Sequence, residues 1–177
     1  RVPDAPLRQS TLAANSWSVN RAILTKTESG SDVLIGIGDD KTVYLLNADL
    51  GKIGSCYVTN PAAFVSDAAL RYTVDGKPQL LTAWSDATAR LFDLDSLNTP
   101  RPHLNREFNH SDVDRLAQVS ACAFAPDGRL AVTAVQVESK NEYTLYLWNM
   151  EDFRRLREIG RLNTRHKSRV HRLAVTP

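Results

Sequence analysis

Three eight-residue stretches constrain this chain more than anything else in it. They are Asp40-Lys41-Thr42-Val43-Tyr44-Leu45-Leu46-Asn47, Asp86-Ala87-Thr88-Ala89-Arg90-Leu91-Phe92-Asp93 and Glu142-Tyr143-Thr144-Leu145-Tyr146-Leu147-Trp148-Asn149. Each opens on an acid, has Thr two places on and Leu three places after that. A Leu or aromatic residue follows, and Asp or Asn closes the stretch. The closing residues stand 46 and 56 positions apart. Recurrence at roughly 40–45 residues marks an array of like units, and a longer interval marks an inserted loop.

The last unit shows what each unit contains. Val119–Ala125, Leu130–Val137 and Tyr143–Trp148 are apolar runs of strand length, too short for free-standing helices. Pro126-Asp127-Gly128 separates the first two, since Pro presets φ, Asp bonds nearby backbone and Gly accepts φ > 0. Polar Glu138–Asn141 separates the next two. Earlier, Trp17–Lys26, Val33–Gly38 and Thr42–Leu46 read as strands, with turns at Glu28–Asp32 and Asp39–Lys41. Phe64–Thr73, Gln79–Trp84 and Thr88–Phe92 repeat the scheme, with turns at Val74–Pro78 and Ser85-Asp86. Leu97–Gln118 is expected to be irregular, because Pro100 and Pro102 block regular structure; Ser111 and Asp114 would cap a short helical turn there. Arg154–Leu162 is expected as an outermost strand. A short helix through Phe153, Leu156 and Ile159 is the alternative, and Gly160 opposes extending it. Val43–Leu46 is apolar on both faces, as suits a sheet packed between two others.

On these residues the chain resembles the WD-repeat β-propeller family, over about residues 17–177. The resemblance implies an all-β fold: a partial propeller of four-stranded antiparallel blades, a fragment of a larger ring expected to have seven. Blades would span about 17–60, 61–110 and 111–165, with 166–177 opening the next. Residues 1–16 would be a linker or a strand of the preceding blade. His166–Pro177 is similar to the family's blade opening, and Phe124–Gly128 to its first turn. Trp148-Asn149 stands where the family has Trp-Asp, with Phe92-Asp93 and Leu46-Asn47 as weaker versions. The family often joins a loop His, a turn Asp, a strand Ser or Thr and a strand Trp in one hydrogen-bonded network. By that resemblance Asp40, Asp86, Glu142, Trp148 and His166 are structural blade residues. Leu46 and Phe92 replace the Trp, Glu142 replaces the Asp, and inserted residues displace His110. No blade is therefore expected to complete the network, and packing should matter more. An arc cut from a ring would also expose an apolar face at each end.

The same resemblance implies a non-catalytic interaction scaffold or sensor within a larger multidomain protein. Its partners would be proteins or peptides, recognised by loops on a rigid frame, besides the remaining blades. Loops entering the first strands and turns between second and third strands would share one face. Asp39, Ser85, Asn141, Arg169 and His171 are the candidate partner-binding residues, and each also reads as an ordinary solvated turn residue.

Composition narrows the rest. Charged residues at 24 %, apolar ones at 42 % and a net charge of +2 suit a folded domain rather than a disordered one. No run of 18 apolar residues is present, so no membrane span is expected, and Arg1–Ser10 lacks the apolar core of a signal peptide. The absence of an initiator Met suggests a processed chain or a fragment. Cys56 and Cys122 are too few and too far apart for a disulfide framework or a zinc site, which points to a reducing, cytoplasmic setting. Asn109-His110-Ser111 matches a glycosylation acceptor by chance.

No catalytic, cofactor-binding or metal-ligating residue is assigned. Gly36-Ile37-Gly38 precedes a β-prone run instead of a helix, so it reads as a hairpin and not a phosphate loop. His103, His110, His166 and His171 form no zinc motif, and no nucleophile elbow exists. Leu46–Lys52 faintly resembles the repeat of quinone-binding propellers, which keeps an enzymatic propeller of quinoprotein or lactonase type as an alternative. Residues 151–177 carry a local charge of +5 against −3 for the remainder. They could bind nucleic acid, but charge on an exposed blade edge also blocks edge-to-edge pairing, and that reading is favoured.

Overall fold

A computed structural model describes residues 19–27, 29–38, 42–47, 52–57, 63–97, 101–111, 116–137, 142–162, 170 and 172–175. Strands β1 (Val19–Lys26), β2 (Asp32–Gly38), β3 (Thr42–Asn47) and β4 (Lys52–Tyr57) lie side by side in chain order as one sheet. Strands β5 (Val65–Tyr72), β6 (Pro78–Trp84), β7 (Thr88–Leu94) and β8 (Pro102–Asn109) form a second. Strands β9 (Ala117–Phe124), β10 (Leu130–Val137), β11 (Glu142–Asn149) and β12 (Arg155–Leu162) form the third. Every neighbouring pair is antiparallel, so each sheet is a four-stranded meander.

One turn is built three times. Gly30, Gly76 and Gly128 have φ of +84°, +79° and +70°. Their N–H groups donate to the carbonyls of Thr27, Thr73 and Ala125 at 2.9, 2.9 and 2.8 Å. These are type I turns followed by a left-handed residue, a geometry whose twist suits a hairpin. The Thr27 and Thr73 hydroxyls also accept the N–H groups of Ser31 and Lys77, at 3.0 Å each.

The core lies between sheets. Ile35, Ile37, Val43 and Leu45 of the first sheet pack against Val65, Leu80, Trp84 and Phe92 of the second. Leu81, Ala89, Leu91 and Phe108, on the second sheet's other face, pack against Val119, Val135, Tyr146 and Trp148 of the third. Every residue of β6 is buried, and all of β7 but Asp93. β3 alternates more, and Tyr44 is half-buried. On the first sheet's outward face Leu24 stands 72 % exposed.

Two expectations for the outer strands resolve differently. Arg155–Leu162 is a strand, not a helix. The segment expected to be irregular contains β8: Pro102 takes that strand's first position, opposite Leu94, where a missing N–H is tolerated. The run from His103 to Glu107, polar except for an exposed Leu104, hides the strand in the sequence because it faces solvent throughout. Ser111 lies in a turn, its N–H donated to Asn109 Oδ1 at 2.8 Å, while Asp114 lies outside the described residues.

Nothing lies within 4 Å of a Cβ built on Gly76, so an alanine there meets only backbone strain. Gly76→Ala should lower stability by about 1 kcal/mol in urea unfolding, the cost of placing an L-residue in the left-handed region. Val74→Ala, at the exposed tip of the same turn, should leave it unchanged.

Candidate functional site

Loop contacts show which segments share a face. The Ser85 N–H donates to the Phe64 carbonyl at 3.0 Å, and the Phe64 N–H donates to Ser85 Oγ at 2.9 Å. The β6–β7 turn is thereby clamped to the loop entering β5. The next residues of that turn reach the following blade, where the His110 N–H donates to the Ala87 carbonyl at 2.9 Å. Ala87 holds φ of +63° while its methyl is buried between the second and third sheets. Ser85 is thus half-buried and engaged in structure. Asp39, Asn141, Arg169 and His171 lie outside the described residues, as do Asp40 and His166.

Asp86 faces inward along its own strand. Its carboxylate accepts the Thr88 hydroxyl at 2.5 Å and pairs with Arg90 at 2.8 Å. Arg90, only 7 % exposed, also pairs with Glu107 of β8 at 3.0 Å and lies 5.0 Å over the Trp84 ring. Trp84 Nε1–H donates to Thr82 Oγ1 at 2.7 Å. An indole from the second strand thus occupies a role that Phe92 cannot fill.

The third sheet places Thr133 at the equivalent point, opposite Tyr146 as Thr82 is opposite Arg90. Trp148 Nε1–H donates to Thr133 Oγ1 at 2.9 Å, and His110 Nε2 lies 2.9 Å from the same oxygen. His110 Nδ1 sits 3.1 Å from the Phe108 carbonyl. For a neutral imidazole, only a proton on Nδ1 lets all these contacts form, with the Thr133 hydroxyl donating to Nε2. This corrects the expectation that His110 is displaced. Its backbone bond to Ala87 pins it, and the inserted residues fall after it instead of moving it. Three of the network's four members, His110, Thr133 and Trp148, are thus joined. Glu142 opens β11 opposite Val137.

A second buried polar centre joins all three sheets. Asp67 on β5 is fully buried. Its carboxylate accepts the Ala68 N–H at 2.9 Å and the Cys122 N–H of β9 at 3.0 Å, and pairs with Arg21 of β1. The sequence signal for it is the alignment of the inner strands: Val19-Asn20-Arg21-Ala22, Val65-Ser66-Asp67-Ala68 and Val119-Ser120-Ala121-Cys122. Burial pushes the neighbouring Cys122 thiol up to about 12, which leaves it an inert part of the core. Among the described residues no group of three or more His, Cys, Asp or Glu could hold a metal ion, and no helix is long and apolar enough to cross a membrane.

Thr133→Val should cost about 2–4 kcal/mol, because it strands the Trp148 N–H and leaves His110 Nε2 without a donor. Thr133→Ser, which keeps the hydroxyl, should cost less than half as much in the same thermal unfolding experiment. Equal losses would show that the methyl and not the hydrogen bonds matters.

No protein-family model matches the chain, and no curated protein sequence does. Solved structures do. The β-propeller domain of Cps50 (Swd1) from Myceliophteria thermophila aligns over 77 % of this chain with a TM-score of 0.58 and 21 % identity. The Dos1 propeller aligns over 84 % with a TM-score of 0.63 and 13 % identity. The chain spans 39 % and 36 % of those two propellers. Its fold is that of a β-propeller, present among the described residues as three consecutive four-stranded blades.

Proposed function

We propose that the chain is the interaction arm of a larger protein: a non-catalytic scaffold whose loops recognise protein or peptide partners. The observation that carries this reading is the clamping of loops across blades. Backbone bonds from Phe64 to Ser85 and from Ala87 to His110 hold neighbouring loops in fixed relation on one face. Recognition loops on a rigid scaffold are what binding surfaces commonly use. The propeller fold supports the reading at the level of architecture. We assign the partner-binding face to Asp39, Ser85, Asn141, Arg169 and His171, with the remaining blades of a ring, seven in all, as further partners. A reducing, cytoplasmic setting accords with the buried free thiol of Cys122.

The test is quantitative affinity purification of the full chain from its own cells, comparing Asp39→Arg and Asn141→Arg with the native protein. Leu104→Ser, on an exposed outer-strand residue, serves as the control. At least one co-purifying protein should fall tenfold or more with both loop variants and stay constant in the control, all three keeping their melting temperature. An unchanged set of partners in both loop variants would refute the assignment.

A further inference from the structure

Arginine and aromatic side chains gather along the seam between the second and third sheets, at their outer strands. Arg106 of β8 lies 5.0 Å over the ring of Phe153, which stands in the turn between β11 and β12. Arg155 of β12 lies 5.0 Å over Tyr146 and 5.8 Å over Trp148. Phe108 joins the two, its ring centroid 4.8 Å from Trp148 and 6.4 Å from Phe153. Two guanidinium groups, one from each sheet, thus rest on a single run of aromatic rings. Both arginines are exposed, while Phe153 is half-buried and the other three rings are buried.

Phe153 sits there against the preference of its backbone. Its φ is +56°, in the left-handed region that Gly30, Gly76 and Gly128 occupy in three other turns. A bulky residue is rare in that region, and such strain gathers at working sites. The turn is held closed by the Asn149 N–H, which donates to the Arg154 carbonyl at 2.9 Å. The nearby acids are already engaged. Glu151 pairs with Arg129 at 3.9 Å, Asp152 with Arg154 at 3.7 Å and Glu107 with Arg90 at 3.0 Å. Among the described residues Arg106 makes no hydrogen bond and no ion pair, so its guanidinium donors are unclaimed.

We propose that this seam binds an acidic segment of a partner protein, its carboxylates on Arg106 and Arg155 and its chain laid over Phe153. Arginine and aromatic residues are what the energetic centres of protein interfaces are enriched in. A guanidinium held flat on a ring keeps its fork set for a carboxylate. Nucleic acid fits less well, because Glu151 and Asp152 stand against its phosphates and its affinity depends on neutralising several of them. The proposal rests on the reading of the chain as an interaction scaffold. It shares no residue with the loop face, so either assignment can fail alone.

Fluorescence anisotropy on the full chain tests it, with fluorescein-labelled Ser-Glu-Glu-Gly-Glu-Glu-Ser as the probe. The probe should bind saturably, and a counterpart with every Glu replaced by Gln should bind at least tenfold more weakly. Arg106→Gln and Arg155→Gln should each weaken binding fivefold or more. Phe153→Gly, which frees the backbone but removes the ring, should weaken it as much. Lys77→Gln, which removes the same charge from the turn between β5 and β6, should change it less than twofold. Arg106 has no hydrogen bond to lose, so Arg106→Gln should melt as the native chain does. No saturable binding, equal binding of the Gln counterpart, indifference to any of the three seam variants, or an equal loss in Lys77→Gln would overturn the proposal. So would tighter binding of a duplex oligonucleotide that Arg106→Gln also weakens, which would make the seam a nucleic-acid site.

Discussion

The carboxylate of Asp67 is the point on which the rest of this structure depends. A buried charge is tolerated only when paired and hydrogen-bonded. Asp67 meets that condition with groups from three different sheets: Arg21 from the first, its own neighbour Ala68 in the second and the Cys122 amide from the third. None of these partners is near it in the chain except Ala68. The three inner strands must therefore converge before the charge is satisfied, and once they have, each fixes the other two. Removing one partner of such a pair typically costs about 3–5 kcal/mol, because an uncompensated charge stays behind.

Away from that centre the sheets are held by packing, and the polar groups serve to orient it. Between the second and third sheets, Phe108 and Trp148 meet with ring centroids 4.8 Å apart. His110 approaches Trp148 edge-on at 5.2 Å, and its hydrogen bonds fix which way the indole lies. A polar chain also crosses the second sheet. Gln79 Nε2 donates to Asp93 Oδ1 at 2.6 Å, and Asn105 Nδ2 donates to Asp93 Oδ2 at 2.6 Å. Through Arg71 this chain ends on the Gly128 carbonyl of the third sheet. Tyr72 makes the reciprocal contact with the first sheet, its hydroxyl donating to the Lys26 carbonyl at 2.9 Å. The hairpin turns are thereby tied blade to blade on one face, as the loops are on the other.

Much of this was legible in the sequence, for identifiable reasons. The third strands announced themselves because they are largely apolar and their Thr and terminal acid or amide recur. The turns at Pro126–Gly128 and Val74–Pro78 were legible because a left-handed residue is needed there, and Gly supplies it. β8 was not, since it is exposed from His103 to Glu107 and Phe108 alone of the strand is buried, which leaves no apolar period to read. The role of His110 was obscured because sequence spacing counts inserted residues, whereas the Ala87 contact fixes its place in space. Trp84 was overlooked as an indole donor because the family pattern looks for Trp on the third strand. Asp67 was invisible for a different reason: its partners are separated from it by 46 and 55 residues, and only the alignment of inner strands brings them into one column.

The direct test of this account is hydrogen exchange, read by mass spectrometry, on Asp67→Asn. The variant keeps the shape of the side chain and removes its charge. If Asp67 couples the three sheets, protection should fall together in peptides covering β1, β5 and β9, by tenfold or more. The outer strand β8 should change little under the same native conditions. Loss of protection confined to β5, with β1 and β9 exchanging as before, would show that the sheets are held together by packing alone and that the buried carboxylate is not their common link.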